Sequence, residues 1–124
     1  TFKNYKVIEY CNTNKYDILV SSPYGKITIE VKEDFLSSKT GNIALEFECR
    51  KKPSGIPIRE ADYFIYVIHK KDTEYYLYKT EILKKMIKDK KYARIVTGGD
   101  KNSKTKMYLF TYSDFVNYGK KLFW

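Results

Sequence analysis

Three charged residues stand where a simple fold could bring them to one point: Asp17, then Glu30 and Lys32. Asp17 interrupts the apolar run from Tyr16 to Val20, a place where a strand favours a β-branched or apolar side chain. Departures of this kind from local preference often mark sites. Glu30-Val31-Lys32 closes the alternating run that starts at Lys26, and Ser22-Pro23-Tyr24-Gly25 between the two runs carries turn chemistry. If that turn closes a hairpin, Ile27, Ile29 and Val31 point into a core while Thr28, Glu30 and Lys32 share the other face. Two carboxylates and a lysine then converge, the minimum set for holding a divalent metal beside a phosphodiester and placing a water to attack it. Cross-strand ion pairing would account for Glu-x-Lys alone in a chain this rich in lysine and glutamate.

The elements that must position these residues follow from period-two alternation. Tyr5 to Cys11, Tyr16 to Ser21 and Lys26 to Lys32 read as a three-stranded meander, followed by a loop from Glu33 to Gly41 and a strand from Asn42 to Glu48. On that strand Ile43, Leu45 and Phe47 face inward, and Glu46 and Glu48 lie on the polar side, where Glu46 could add a metal ligand. The breaker-rich segment from Arg50 to Pro57 is expected to be a loop, and Ala61 to Ile68 is apolar enough for a central strand covered on both sides. Glu74 to Lys79 pairs with it across a turn. Thr80 is placed to cap a helix from Glu81 to about Lys88, with Ile82, Leu83, Met86 and Ile87 on one face and Lys84, Lys85 and Lys88 on the other. Strands around Arg94-Ile95-Val96 and from Met107 to Thr111 come next, and Ser113 would cap a last helix carrying Phe115, Val116, Leu122 and Phe123, with Gly119 able to shorten it.

Composition bounds the partners. The chain has 124 residues, enough for a single domain (1–124) with one core. Its formal charge of +9 favours a polyanion, with nucleic acid the default. Arg50, Lys51 and Lys52 flank Ser54-Gly55, where a glycine backbone can approach a phosphate and a serine can donate to it, so this loop is the candidate nucleic-acid contact. Cys11 and Cys49 form no C-x-x-C pair, which argues against zinc and for two small buried residues in a reducing compartment. The polar start of the chain lacks a signal-peptide run and no long apolar span follows, so a soluble, cytoplasmic protein with no membrane partner is expected. A nucleophilic triad is poorly supplied, because His69 is the single histidine. Gly98-Gly99-Asp100-Lys101 lacks the Gly-Lys-Ser/Thr ending of a nucleotide-binding loop.

An aspartate on one strand of a hairpin and Glu-x-Lys on the next resemble the PD-(D/E)XK nuclease superfamily. The segments from Thr40 to Glu48, Pro53 to Ile56 and Ala61 to Tyr63 look like those that follow Glu-x-Lys in its phage and archaeal Holliday junction resolvase-like members. The resemblance covers residues 16 to about 68. It implies an α+β (α/β) fold: a restriction-endonuclease-like mixed β-sheet whose antiparallel meander carries the site, with a few flanking helices.

The same resemblance implies a Mg2+- or Mn2+-dependent endonuclease that hydrolyses phosphodiester bonds in DNA, branched DNA being the most specific expectation, in DNA recombination. Asp17 and Glu30 would ligate the metal with the Val31 carbonyl, and Lys32 would orient the attacking water or stabilise developing charge. Two symmetric cuts would call for a homodimer. The residues fit an RNA endonuclease with the same core equally well. A nuclease-like domain that binds nucleic acid without cutting it is the alternative from another class.

Overall fold

The computed structural model describes residues 6–10, 17–49, 52–53, 61–98 and 105–123. These form a mixed α+β fold of two sheets and three helices. The first sheet begins with the meander of β1 (Lys6–Tyr10), β2 (Ile18–Ser22) and β3 (Gly25–Asp34). Ser22 and Gly25 close the β2–β3 hairpin: the Ser22 hydroxyl donates to the Gly25 carbonyl at 2.6 Å, and Gly25 takes a φ of +118° that suits a residue without Cβ. β3 runs two residues past Lys32, because β6 (Tyr63–Ile68) pairs with it in parallel as far as Asp34 against Ile68. β7 (Glu74–Lys79) and β10 (Lys120–Leu122) add antiparallel strands, giving the order β1-β2-β3-β6-β7-β10.

The second sheet is antiparallel, in the order β5-β4-β9-β8, with β4 at Asn42–Cys49, β5 at Lys52–Pro53, β8 at Arg94–Gly98 and β9 at Thr105–Thr111. Lys52 and Pro53 therefore pair as a short strand where breakers suggested only loop. A bulge between Glu46 and Glu48 interrupts the register of β4 on β9.

Three helices join the sheets. α1 (Ser37–Thr40) is a single turn ended by Gly41 at φ +75°, and it occupies part of the expected loop. α2 (Thr80–Lys88) begins one residue early: Lys79 is its extended N-cap, and the Thr80 hydroxyl donates to the Ala61 carbonyl instead of capping. α3 (Tyr112–Asn117) is capped by Thr111, whose side chain accepts from the Asp114 N–H at 3.2 Å, so Ser113 is not the cap. The chain leaves α3 at Gly119, where a Cβ would lie 2.5 Å from the Tyr78 ring, and Leu122 belongs to β10 instead of to a longer helix.

One core joins the layers. Phe64, Tyr66, Ile68, Tyr76 and Tyr78 of the first sheet pack in a cluster with Ile43, Leu45 and Phe110 of the second and with Leu83, Met86 and Phe115 of the helices. Phe115 sits at its centre: its ring meets Tyr66 edge-on at 4.9 Å, and its carbonyl accepts from the buried Tyr78 hydroxyl at 2.8 Å. β6 is buried on this face alone and only half-buried on the other, so it is not covered equally on both sides as its apolar run suggested. Among the described residues no helix is long and apolar enough to cross a membrane.

Candidate metal and phosphodiester site

The hairpin register decides where the acidic residues meet. Ile18 opposes Ile29 and Leu19 opposes Thr28, and Asp17 stands just before this ladder, at the end where Glu30 follows Ile29. The Asp17 N–H donates at 3.0 Å to the carbonyl of Ile29, the residue already opposite Ile18, so the regular register ends at that pair. Asp17 is thereby held against β3 next to Glu30.

Asp17 is also tied to β3 through its side chain: Oδ2 accepts from the Val31 N–H at 2.8 Å. In an extended strand the N–H and C=O of one residue project to the same side. The Val31 carbonyl therefore points toward Asp17, past the end of β2. Two residues beyond Glu30, the Lys32 ammonium lies 3.5 Å from Glu30 Oε1, with its side chain 35% exposed, whereas Glu30 itself is only 3% exposed. A buried carboxylate beside a half-exposed amine is an arrangement in which charge is held close but remains within reach of a ligand.

The alternation of β3 holds, but its polar face differs from the solvated face that the sequence suggests. Parallel register aligns Glu30 with Phe64, Lys32 with Tyr66 and Asp34 with Ile68, so the acidic residues lie on the face that carries the core aromatics. Ile29 on the other face is buried as well. Burial pushes the Tyr66 phenol far above its ordinary value, and the negative charges of Glu30 and Asp34 add to that shift. Tyr66 thus stays protonated and can serve as a donor but not as a base.

Next to Lys32 opens a cleft of about 120 Å3 between β3, β4 and β6, lined among others by Asp34, Ala44, Glu46 and Tyr66. Glu46 is thereby brought to the same cleft as Lys32 from the second sheet. Asp34 Oδ2 accepts from the Ser37 N–H at 3.0 Å, which orients its carboxylate and starts α1. Asp34 was legible in principle, since it is the next residue after Glu30 and Lys32 on the same face. Nothing in the sequence pointed to Tyr66, whose place depends on the parallel pairing of β3 with β6.

Among the described residues, no three His, Cys, Asp or Glu side chains gather as a ligand set for an ion. Asp17, Glu30 and Glu46 therefore do not form one three-carboxylate centre, because Glu46 comes from the other sheet. What remains is a pair of carboxylates and a backbone carbonyl, all hard oxygen donors. That set fits magnesium, which is commonly held by one or two carboxylates and keeps several waters.

The other expected contacts are spread out. Lys52 lies on β5, its backbone paired with Cys49. Arg50, Lys51, Ser54 and Gly55 lie outside the described residues, as do Cys11 and residues 99–104 of the glycine loop. His69 stands apart from Lys32: its Nε2 lies 3.0 Å from Glu33 Oε1, on the other face of β3.

No family model, curated protein or solved structure matches the chain. The geometry of Asp17, Glu30 and Lys32 therefore carries the functional reading without support from a relative. A further charge feature accompanies that geometry. In a protein of net charge +9, the cleft lining sets Asp34 and Glu46 against Lys32, and Glu30 adjoins it through its ion pair with Lys32. Local negative potential in a basic protein favours a cation, while the basic remainder favours a polyanion.

Proposed function

We propose that the protein is a metal-dependent endonuclease of the PD-(D/E)XK type that hydrolyses phosphodiester bonds in DNA. The observation that carries this reading is the attachment of Asp17 to β3 on either side of Glu30, by its N–H to the Ile29 carbonyl and by its carboxylate to the Val31 N–H, with the Lys32 amine 3.5 Å from Glu30. The mixed sheet supports it, since an antiparallel meander bearing the acidic pair followed by a parallel strand is what a restriction-endonuclease-like core requires.

Asp17, Glu30 and the Val31 carbonyl would hold the ion. A bound Mg2+ or Mn2+ would supply Lewis acidity toward the phosphate and a more acidic water. The chain's own residues do the rest. The Val31 N–H fixes one Asp17 oxygen, so the carboxylate is oriented before any ligand arrives. The buried Glu30 keeps the Lys32 ammonium in place, where it would meet the negative charge that develops on a bound phosphate. Tyr66 closes the wall of the cleft as a neutral phenol.

The substrate proposed first is branched DNA of the Holliday junction kind, cut by a homodimer; linear DNA and RNA are the alternatives from the same chemistry. The test is cleavage of four-way, linear duplex, single-stranded and RNA substrates in Mg2+ or Mn2+ by the unmodified protein, Asp17→Asn and Lys32→Ala. Metal-dependent cutting lost in both variants is expected. A protein that binds these substrates tightly, with the steep salt dependence of phosphate contacts, yet cuts none of them in either metal is a binding domain, and the catalytic reading fails.

A further inference from the structure

The carboxyl ends of the two parallel strands carry a feature that the cutting chemistry does not use. β3 ends at Asp34 and β6 at Ile68, which are register partners, so Phe35 and His69 follow the two strands side by side. Their rings stack face to face, with centroids 4.2 Å apart and planes 7° from parallel. His69 is anchored twice: its N–H donates to the Asp34 carbonyl at 2.8 Å, and its Nε2 meets Glu33 Oε1 at 3.0 Å. Phe35, stacked on this fixed ring, remains 60% exposed, and Leu36 beside it is exposed as well.

An aromatic ring held rigid, covered on one face and open elsewhere, is the form of a base-stacking surface. The charge beside it selects the part of a nucleotide that can bind there. Glu33 repels a phosphate, so the occupant is a base and not the backbone. Geometry then selects the state of the base. Phe35 lies on the Glu33 side of β3, opposite Lys32, about 10 Å along the strand at roughly 3.3 Å per residue. A strand passing Lys32 must turn round the end of β3 to reach it. A duplex, whose bases are stacked on one another and whose axis is stiff over many base pairs, cannot do so, whereas an unpaired strand can. The crevice outside the carboxyl ends of parallel strands is also where open sheets with such strands bind ligands.

We infer that Phe35, backed by His69, is a stacking platform for an unpaired nucleobase next to the bond that the Asp17–Glu30–Lys32 site would cut. The inference rests on the proposed nuclease reading and narrows its substrate class to nucleic acid with single-stranded bases beside the cut, as at a branch point, a flap or a free strand.

The experiment reads binding without cleavage. Short single strands bearing 2-aminopurine, and the matching duplex, are titrated in EDTA with the unmodified protein, Phe35→Ala and Phe35→Trp, and each protein is sedimented alone. Quenching of 2-aminopurine is expected with the unmodified protein. Phe35→Ala should weaken single-strand affinity about 10-fold or more while leaving duplex affinity within a factor of about 2, and Phe35→Trp should restore it. Equal affinity of Phe35→Ala and the unmodified protein for single strands overturns the platform while leaving the nuclease reading in place. An equal loss on single strands and duplex overturns it too. A lower sedimenting mass for Phe35→Ala would show instead that Phe35 and Leu36 join two copies of the chain, and would also overturn it. If the unmodified protein binds no nucleic acid, both readings fall together.

Discussion

Two clusters of acid and lysine lie on one face of the six-stranded sheet, and their charge balance is opposite. At β7, one carboxylate, Glu74, accepts from the Tyr112 and Tyr76 hydroxyls and from Lys121, with the Lys70 ammonium 3.8 Å away. Lys70 also sits 4.1 Å over the Tyr112 ring. At β3, Asp17 and Glu30 meet Lys32 beside a cleft that brings further carboxylates. The Glu74 cluster joins α3, β10 and the β6–β7 turn and balances its charge within the fold. The Asp17–Glu30 cluster leaves negative charge concentrated on one side, which a cation from solution would neutralise. The contrast separates a carboxylate whose partners all lie within the fold from the carboxylates to which the proposed function assigns a metal ion.

Substitutions that break this contrast rank by expected size. Under the proposed function, Asp17→Asn should lower metal-dependent cleavage on the order of 1,000-fold in a single-turnover assay, since it would remove an anionic ligand of the ion. The same variant should melt within about 0.5 kcal/mol of the unmodified protein, because an asparagine oxygen can still accept from the Val31 N–H. Glu74→Ala should do the reverse: a loss of about 2 to 3 kcal/mol in urea unfolding, as donors on a side chain only 17% exposed lose their acceptor, with cleavage by the folded fraction retained. A nuclease assay in which Glu74→Ala is as inactive as Asp17→Asn would abolish the distinction.

The acid limb of stability sharpens it. Burial pushes the Glu74 carboxyl up, but hydrogen bonds from Tyr112 and Lys121 and the charges of Lys70 and Lys121 outweigh burial and hold it below its ordinary 4.5. A carboxyl depressed in the folded state adds stability above its unfolded value, and this is lost as pH falls through the folded value. Unfolding stability should therefore decline below about pH 4.5, and the decline should be shallower in Glu74→Gln. A slope unchanged by that substitution would remove Glu74 from the account. The smallest effect is expected for Tyr112→Phe, about 1 kcal/mol, read as a shift in the urea midpoint at constant slope.

The parts legible in the sequence were those set by neighbours along the chain. The β2–β3 hairpin, the alternation of β3 and the Leu83–Met86–Ile87 stripe of α2 depend on local turn chemistry and periodicity, and the hairpin brought Asp17 beside β3 next to Glu30, whereas Ile82, read on the same helical stripe, is exposed. Features set by distant pairing were not legible. Alternation alone could not tell that the Glu30 face of β3 would be the one that carries the core aromatics, because that depends on β6, which pairs with β3 from 34 residues away, and Thr28 meets Asp62 across the same gap. Phe115, Val116, Leu122 and Phe123 fit one helical stripe, yet the close approach of Gly119 to Tyr78 ends α3 and returns the chain to β7 as β10. The turn, two strands and helix that supply Lys70, Glu74, Lys121 and Tyr112 share no motif, so that cluster left no mark in the sequence.

The pairing of β3 with β2 on one side and β6 on the other has a kinetic meaning. A hairpin whose register partners Ile18 and Ile29 are 11 residues apart closes on the microsecond scale, whereas parallel pairing of Ile29 with Tyr63 must first close a loop of 34 residues. The acidic pair would thus be assembled early, as the chain first collapses, and its cleft wall added later. During that interval Asp17 and β3 are side by side before Tyr66 arrives, so the hairpin that carries the proposed site forms without the strand that walls its cleft.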